Sequence, residues 1–211
     1  MGLYSRFESL LDQDDTLQQL ESEIWDSLQT ATQNSRHAWN HGYFSTASVE
    51  GSNIDRLNSR TVILRSVCKS QRTIDCHTDV RSLKVADIAA SDESSWLFYD
   101  SKSKIQLRAN GTSRLLDDSE TDEAWERTSL RSRAAYLSVD RPGSKSAGSS
   151  PPSTSDRHVT QEQSERGRQN FRIVRFDVRG FDWLYLRRSG HLRASVQYPN
   201  CGSPIIHWLV P

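Results

Sequence analysis

The spacing of apolar residues divides the chain into one long amphipathic helix and a series of short strands. Between residues 16 and 34 the apolar positions recur every three or four residues, which predicts a helix with one buried face. Further along, short runs of β-branched, aliphatic and aromatic residues alternate with turn residues, a pattern typical of strands. The predicted strands are residues 43–49, 57–67, 73–78, 94–100, 104–116, 171–178, 181–186, 191–196 and 205–210.

Two further helices and one polar insertion complete the pattern. Residues 80–90 and 120–136 are predicted as helices, the first capped by Asp79 and the second by Asp118 or Ser119. Within the strand at 104–116, Gly111 predicts a bulge or a bend. The first fifteen residues show no clear pattern.

Residues 142–168 are rich in serine, proline, glycine and charge, with almost no apolar residues, which predicts a mobile loop. The roughly forty residues after it are too few to form a core of their own, so we expect them to complete the sheet begun near Tyr43. The sequence therefore predicts an α+β barrel in a single domain, residues 1–211.

Composition narrows the class of partner. The formal net charge is zero, which does not favour nucleic acid or an anionic membrane. No apolar run approaches the roughly 18 residues of a membrane span, and the N-terminus lacks the apolar stretch of a signal peptide, so we expect a cytoplasmic protein. His37 and His41 have no acidic or thiol partner nearby in sequence, and we expect no metal site.

Three cysteines, Cys68, Cys76 and Cys201, cannot all pair. Reduced, buried thiols are the expectation in a reducing compartment, while a disulfide between Cys68 and Cys76 across two neighbouring strands stays open.

Candidate chemistry concentrates in residues 60–84, which read as two strands joined by a polar turn and followed by the start of a helix. The stretch contains Arg60, Arg65, Arg81 and Lys84. The helix start also offers free N–H groups and the positive end of the helix dipole, so the stretch predicts a site for a phosphate group.

The same stretch resembles the FMN-binding core of the pyridoxamine 5'-phosphate oxidase family. The family's Arg-x-Val-x-Leu-Lys/Arg strand corresponds to residues 60–65, its aromatic-Thr pair to His77 and Thr78, and its Ser-x-Lys helix start to Ser82 and Lys84. His77 departs from the family, which has a larger aromatic ring there. The resemblance implies a six-stranded antiparallel split β-barrel with flanking helices, which dimerises and holds FMN in the subunit interface.

The resemblance also implies which residues contact the cofactor. The expected FMN contacts are Arg60, Thr61, Val62, Ile63, Arg65, His77, Thr78, Ser82, Lys84, Gln106, Trp183 and Arg193. Side chains alternate along a strand, so Arg60 and Arg65 point to opposite faces unless the strand twists or bulges. We therefore expect backbone contacts from Val62 and Ile63 beside the arginine side chains.

The family's substrate site is less well matched. Arg65 replaces a lysine, Arg127 aligns with the family's arginine, and His191 keeps the histidine of an Arg-x-His motif whose arginine is lost. The family's tyrosine and serine correspond to Glu123 and Arg131. Its Gln-Ser pair has become Asp140-Arg141 or has shifted. The resemblance thus implies a retained FMN site in a branch whose substrate is unassigned.

The functional expectation is a homodimeric, FMN-dependent oxidoreductase acting on an unidentified small molecule. No catalytic side chain is strictly required, because the flavin carries the redox chemistry. His77 and His191 are the candidates for a proton relay. Two alternatives stay open: a non-catalytic flavin- or haem-binding module in stress response or sensing, and a structural dimer whose ligand site has decayed.

Overall fold

A computed structural model describes residues 3–11, 16–50, 53–145 and 159–211. The helices are α1 (Leu3–Leu11), α2 (Thr16–Gln33), α3 (Leu83–Ala90), α4 (Asp118–Arg127), α5 (Leu130–Arg133) and α6 (Gln161–Glu165). The strands are β1 (His41–Glu50), β2 (Asn53–Cys68), β3 (Thr73–Asp79), β4 (Glu93–Asp100), β5 (Ile105–Leu115), β6 (Phe171–Tyr185), β7 (Leu192–Gln197) and β8 (Ile205–Leu209). No described helix has both the length and the apolar composition needed to cross a membrane.

The first six strands form a closed antiparallel ring. Their order is β3-β2-β1-β4-β5-β6, and an additional pairing of β3 with β6 closes the ring. Strands β7 and β8 extend the sheet from β6. The prediction of a six-stranded split barrel with flanking helices is confirmed.

Strand β6 joins the parts of the ring. It was predicted as two strands, 171–178 and 181–186, but forms one continuous strand that pairs with β5 along most of its length. Its first half also pairs with β3 and its second half with β7. The predicted bulge is confirmed, because the β5–β6 register shifts between Asn110 and Gly111. A Cβ atom at Gly111 would lie 2.0 Å from the carbonyl oxygen of Asp177, so only glycine fits there.

Aromatic side chains fill the interior of the ring. The rings of Trp96 and Phe98 stack with centroids 5.4 Å apart, and the buried face of α2 packs into the same core. Helix α1 lies in the region for which the sequence showed no pattern. It contributes Leu3 and Phe7 to the core, and Phe7 packs against Trp183 with centroids 5.5 Å apart.

Two predicted helix starts are wrong: Asp79 lies in the turn before α3 and does not cap it, and Asp117 caps α4 in place of Asp118 or Ser119. Helix α3 begins at Leu83 with Ser82 at the N-cap position, while Asp79 accepts hydrogen bonds from the backbone and side chain of Arg81 in the preceding turn. Helix α4 is capped by Asp117, whose carboxylate accepts from the backbone N–H of Glu120.

The predicted helix at residues 120–136 is interrupted. Helix α4 ends at Arg127, and Ser129 caps the new helix α5 by accepting from the backbone N–H of Ser132. A hydroxyl that satisfies a new helix start favours such a break over a continuous helix.

The insertion at residues 142–168 departs from the predicted loop at its C-terminal part, whereas residues 146–158 lie outside the described residues. Thr160 and Gln163 form a capping box that starts α6. Glu165 accepts hydrogen bonds from the indole of Trp125 (3.0 Å) and the guanidinium of Arg133 (2.6 Å), which fasten α6 to α4 and α5.

Candidate functional site

A partly buried lysine lies where β3 leads into α3. The Nζ atom of Lys84 donates to the hydroxyl oxygens of Thr78 (3.0 Å) and Ser82 (3.1 Å), which are themselves 3.1 Å apart. Both hydroxyl residues are buried. Lys84 forms no salt bridge with any residue that the structure describes. In these three residues, the Lys84 cluster, the ammonium is hydrogen-bonded only to hydroxyls, and the carboxylates of Asp79 and Asp87 act on its charge from a distance without forming a salt bridge.

The local sequence explains this geometry. Strand β3 ends at Asp79, and the backbone N–H of Ser82 donates to the carbonyl of Asp79 (3.0 Å), which turns the chain into α3. Arg81 within this turn makes a salt bridge to Asp79 (2.7 Å) and donates to the carbonyls of Ser138 and Val139. Arg81 was predicted to add to the cationic cluster, but its guanidinium is already paired.

Arg60 approaches α3 from strand β2. Its guanidinium donates to the hydroxyl of Thr46 (2.8 Å) and the carbonyl of Phe44 (3.2 Å), and lies 3.6 Å from the carboxylate of Asp87. Asp87 also accepts from Thr46 (2.7 Å) and from Asn58 (3.0 Å). Because Asp87 stands three residues after Lys84 on α3, one carboxylate links the helix that carries Lys84 to the strand that carries Arg60.

Burial sets the charge state of these groups. It lowers the pKa of Lys84, and the nearby charge of Arg60 acts in the same direction. It also raises the pKa of the buried Cys76 thiol to about 12, although Lys84 and Arg60 oppose this. The thiol is therefore neutral near pH 7 and does not offset the cations. Cys76 pairs with Leu64 across the strands and Cys68 with Thr73, and neither cysteine forms a disulfide.

A bulge in β2 separates Arg60 from Arg65. Leu64 pairs with Cys76 but Ser66 pairs with Asp75, so Arg65 is an extra residue in the ladder. Arg60 lies on the side of α3, whereas Arg65 is exposed and lines a separate cleft. The structure therefore does not bring the two arginines together through any contact.

This Arg65 cleft has a volume of about 650 Å³ and lies between β2–β3 and the α4–α5 segment. It contains two further predicted residues, His77 and Arg127. His77 packs edge-on against Phe171, with ring centroids 4.7 Å apart, so it occupies the place of an aromatic residue. Burial, aided by the charge of Arg65, lowers the pKa of His77 to about 3, which makes it a neutral and weak base near pH 7.

The other predicted residues lie elsewhere in the single chain. Gln106 is on the outer face of β5, and Arg193 on β7 makes a salt bridge of 2.7 Å to Asp182, which also accepts from Arg108. Trp183 is buried in the core and faces away from Arg193, since Arg193 pairs with Leu184 and not with Trp183.

His191 is exposed just before β7, and Thr61 and Ile63 are exposed on β2 with Val62 partly buried between them. Sequence reasoning missed Asp87, although its position one helical turn after Lys84 was a usable signal.

Comparison with known proteins shows which protein family this part of the chain resembles. Residues 22–117, which include the Lys84 cluster, Arg60, Arg65 and Gln106, match the family model described as pyridoxamine 5'-phosphate oxidase, FMN-binding domain. This matched segment, just under half of the chain, is similar to that FMN-binding domain, and the described residues share the split-barrel fold of such proteins.

Known proteins are similar to the chain over different extents. Pyridoxine/pyridoxamine 5'-phosphate oxidase 2 from Arabidopsis thaliana is 33% identical over 97 residues, which cover 42% of this chain and 48% of the plant protein. The match thus spans about half of that relative's length.

Two solved structures share the fold over almost their whole length. A pyridoxamine 5'-phosphate oxidase-related, FMN binding protein from Nostoc punctiforme aligns with a TM-score of 0.67 and 20% identity, covering 90% of this chain and 96% of that one. PhzG from Burkholderia lata, in complex with tetrahydrophenazine-1-carboxylic acid, aligns with a TM-score of 0.65 and 17% identity, covering 95% of both chains.

Proposed function

We propose that this protein binds FMN and acts as an FMN-dependent oxidoreductase on a small organic molecule. The observation that carries the proposal is the Lys84 cluster, in which a partly buried ammonium has hydroxyl partners and forms no salt bridge with a carboxylate of the described residues. Such a group is stabilised by an anion, and the donors fit the phosphate group of FMN.

In this proposal Lys84, Thr78 and Ser82 hold the phosphate, and Arg60 adds a second positive charge nearby. The backbone of residues 61–63 borders the flavin, which supplies two-electron redox chemistry when bound. The Arg65 cleft, with His77 and Arg127, receives the substrate. The plant relative's name and its 33% identity support oxidase chemistry.

We also propose a homodimer. Tyr43 and Ile63 are 50% and 38% exposed on adjacent strands of the barrel's outer surface, and large exposed apolar side chains close together favour a subunit interface. Gln106, Arg193 and His191 do not contact the Lys84 cluster within one chain. A second subunit is the remaining route by which they reach a flavin bound there, and a flavin contact for the buried Trp183 stays a prediction.

The first experiment records the absorbance spectrum of the purified protein and identifies any released ligand by mass spectrometry. A flavin spectrum, or tight binding of added FMN, is expected. A colourless protein that does not bind added FMN would contradict the proposal.

A second experiment separates an oxidoreductase from a non-catalytic flavin or haem module. The FMN-loaded protein is mixed anaerobically with NADPH, and in air with pyridoxamine 5'-phosphate and a panel of small organic acids and amines. Bleaching of the flavin, or substrate-dependent oxygen consumption, is expected. A bound flavin that none of these reagents reduces would favour the module.

A further inference from the structure

The charges that line the Arg65 cleft differ in whether they already have partners. Three arginines (Arg65, Arg127 and Arg175) and three carboxylates (Asp75, Glu120 and Glu123) face the cleft. The formal charge of these six residues is therefore zero, and whether the cleft can bind an anion depends on which arginines already form salt bridges.

Arg175 is fully engaged. Its guanidinium binds both oxygens of the buried Asp75 carboxylate, at 3.0 and 2.9 Å, and its remaining nitrogen donates to Glu120 at 3.1 Å. A bidentate pair with a buried carboxylate has fixed geometry, and breaking it would leave the Asp75 charge without compensation. Arg175 therefore lines the cleft, but its guanidinium is not available to bind a ligand.

Arg127 is engaged as well, but more loosely. It makes a salt bridge of 2.5 Å to Glu123 one turn earlier on α4, and both side chains are 69% exposed. An exposed pair of this kind contributes little to stability, so Arg127 can move. The Glu123 carboxylate nevertheless stays beside any anion that reaches Arg127 and repels it.

Arg65 is the cation that remains. It is exposed and makes no hydrogen bond or salt bridge with a residue in the described part of the chain. His77 beside it brings no second positive charge, because burial lowers its pKa to about 3. The apolar side chains of Leu116, Ala124 and Ile173 line the same cleft.

From this pairing we infer that the Arg65 cleft takes a small organic acid with a single negative charge, whose carboxylate binds Arg65 and whose apolar body lies against Leu116, Ala124 and Ile173. A phosphate monoester fits poorly, because its second charge finds no unpaired cation and meets carboxylates instead. A volume of about 650 Å³ suits a ligand of one to three rings. The inference rests on the proposed function, in which this cleft is the substrate site.

Three probes with one ring system test the charge rule: 2-naphthoate, 2-naphthyl phosphate and 2-naphthamide. Isothermal titration calorimetry at about pH 8, where the phosphate carries close to two charges, measures their binding to the full chain with FMN in excess. The excess FMN keeps the phosphate probe out of the Lys84 cluster. We expect 2-naphthoate to bind about tenfold tighter than either other probe.

Two variants locate the effect. Arg65→Gln should reduce 2-naphthoate binding to the level of 2-naphthamide, whereas Arg179→Gln, which removes an exposed arginine of β6 outside the cleft, should not. Glu123→Gln should strengthen 2-naphthyl phosphate binding about fivefold by freeing Arg127, whereas Glu126→Gln on the same helix should leave it unchanged.

Tighter binding of the phosphate than of the carboxylate, binding of none of the probes, or an unchanged affinity in Arg65→Gln would each overturn the inference. If the protein binds FMN yet prefers 2-naphthyl phosphate, the cleft inference fails and the proposed function stands. If it binds no FMN, the titrations are repeated in Lys84→Met, which removes phosphate binding at the Lys84 cluster. A preference for 2-naphthoate there would support the cleft inference while the proposed function fails.

Discussion

The two cation-rich regions on strands β2 and β3 are built in opposite ways. In the Lys84 cluster the ammonium is partly buried and held by hydroxyls, and the neighbouring Arg60 shares one carboxylate with Thr46 and Asn58. The Arg65 cleft contains three arginines and three carboxylates, and two of the arginines, Arg127 and Arg175, already form salt bridges. A count of arginines and lysines would rank the cleft as the stronger anion site.

The pairing reverses that ranking. A partly buried ammonium whose direct partners are hydroxyls is stabilised when an anion binds, because no salt bridge has to be broken first. In an exposed salt bridge such as Arg127–Glu123, the arginine must first leave its carboxylate, or that carboxylate stays close to the bound anion and repels it. Single substitutions in each region test this difference.

The largest effect is expected at Lys84. Lys84→Met should weaken FMN binding about 100-fold, since hydrogen bonds to charged groups contribute about 1.5–3 kcal/mol each. It should not reduce the free energy of unfolding, because methionine removes a buried charge. Flavin fluorescence titration measures the first quantity and urea denaturation the second. Lys102→Met, in an exposed turn, is the matched control. Equal affinities in the two variants would remove Lys84 from the site.

The next effect concerns His77, which lies on the strand between the two regions. Its pKa is about 3 in the folded protein and about 6.5 when unfolded, so the unfolded chain binds more protons between these values. Its contribution to stability is fully present above about pH 6.5 and falls by at most about 1.4 kcal/mol per pH unit below that.

Urea denaturation at pH 7 and pH 5 tests this contribution. The unaltered protein should lose about 1–2 kcal/mol more on acidification than His77→Phe does. His207→Phe, at an exposed position, should behave like the unaltered protein. Equal losses in all three proteins would show that His77 does not stay neutral.

A smaller effect is expected at Asp87. Asp87→Asn keeps the shape of the side chain but weakens its hold on Arg60, and should reduce FMN affinity about tenfold by letting the guanidinium move. Asp92→Asn, an exposed residue between α3 and β4, is the control. Restoration of affinity in Asp87→Glu would identify the charge as the cause. An affinity in Asp87→Asn equal to that of the control would contradict this role.

The smallest effect is expected from the exposed pair in the cleft. Arg127→Gln should change the free energy of unfolding by less than about 0.5 kcal/mol and FMN affinity by less than about twofold. The same two titrations measure both. A large loss of FMN affinity would show that the two regions act as one site.

What the sequence predicted well depends on neighbours along the chain. The alternation in β5, the bulge at Gly111 and the position of Lys84 just inside a helix start all follow from short-range pattern. The six-stranded ring followed from the family resemblance together with the number of short strands.

What the sequence did not predict depends on partners far apart in the chain. Thr46 and Asp87 are separated by 41 residues, and Asp75 and Arg175 by 100, so their contacts exist only once strand register is set. The same holds for Trp183 and Arg193, whose opposite faces follow from the β6–β7 register. The docking of α6 needed the Arg133–Glu165 pair, which no local pattern indicates.

The long strand β6 has a consequence for how the protein is made. Until Phe171–Tyr185 has left the ribosome, β3 and β5 each present an unpaired edge, although every residue of the Lys84 cluster has already been synthesised. Ring closure by contacts so distant in sequence is slow compared with local helix formation. Between the synthesis of Leu115 and that of Phe171 the strands already made therefore form an open sheet with two unpaired edges, and the last fifth of the chain closes that sheet into a barrel.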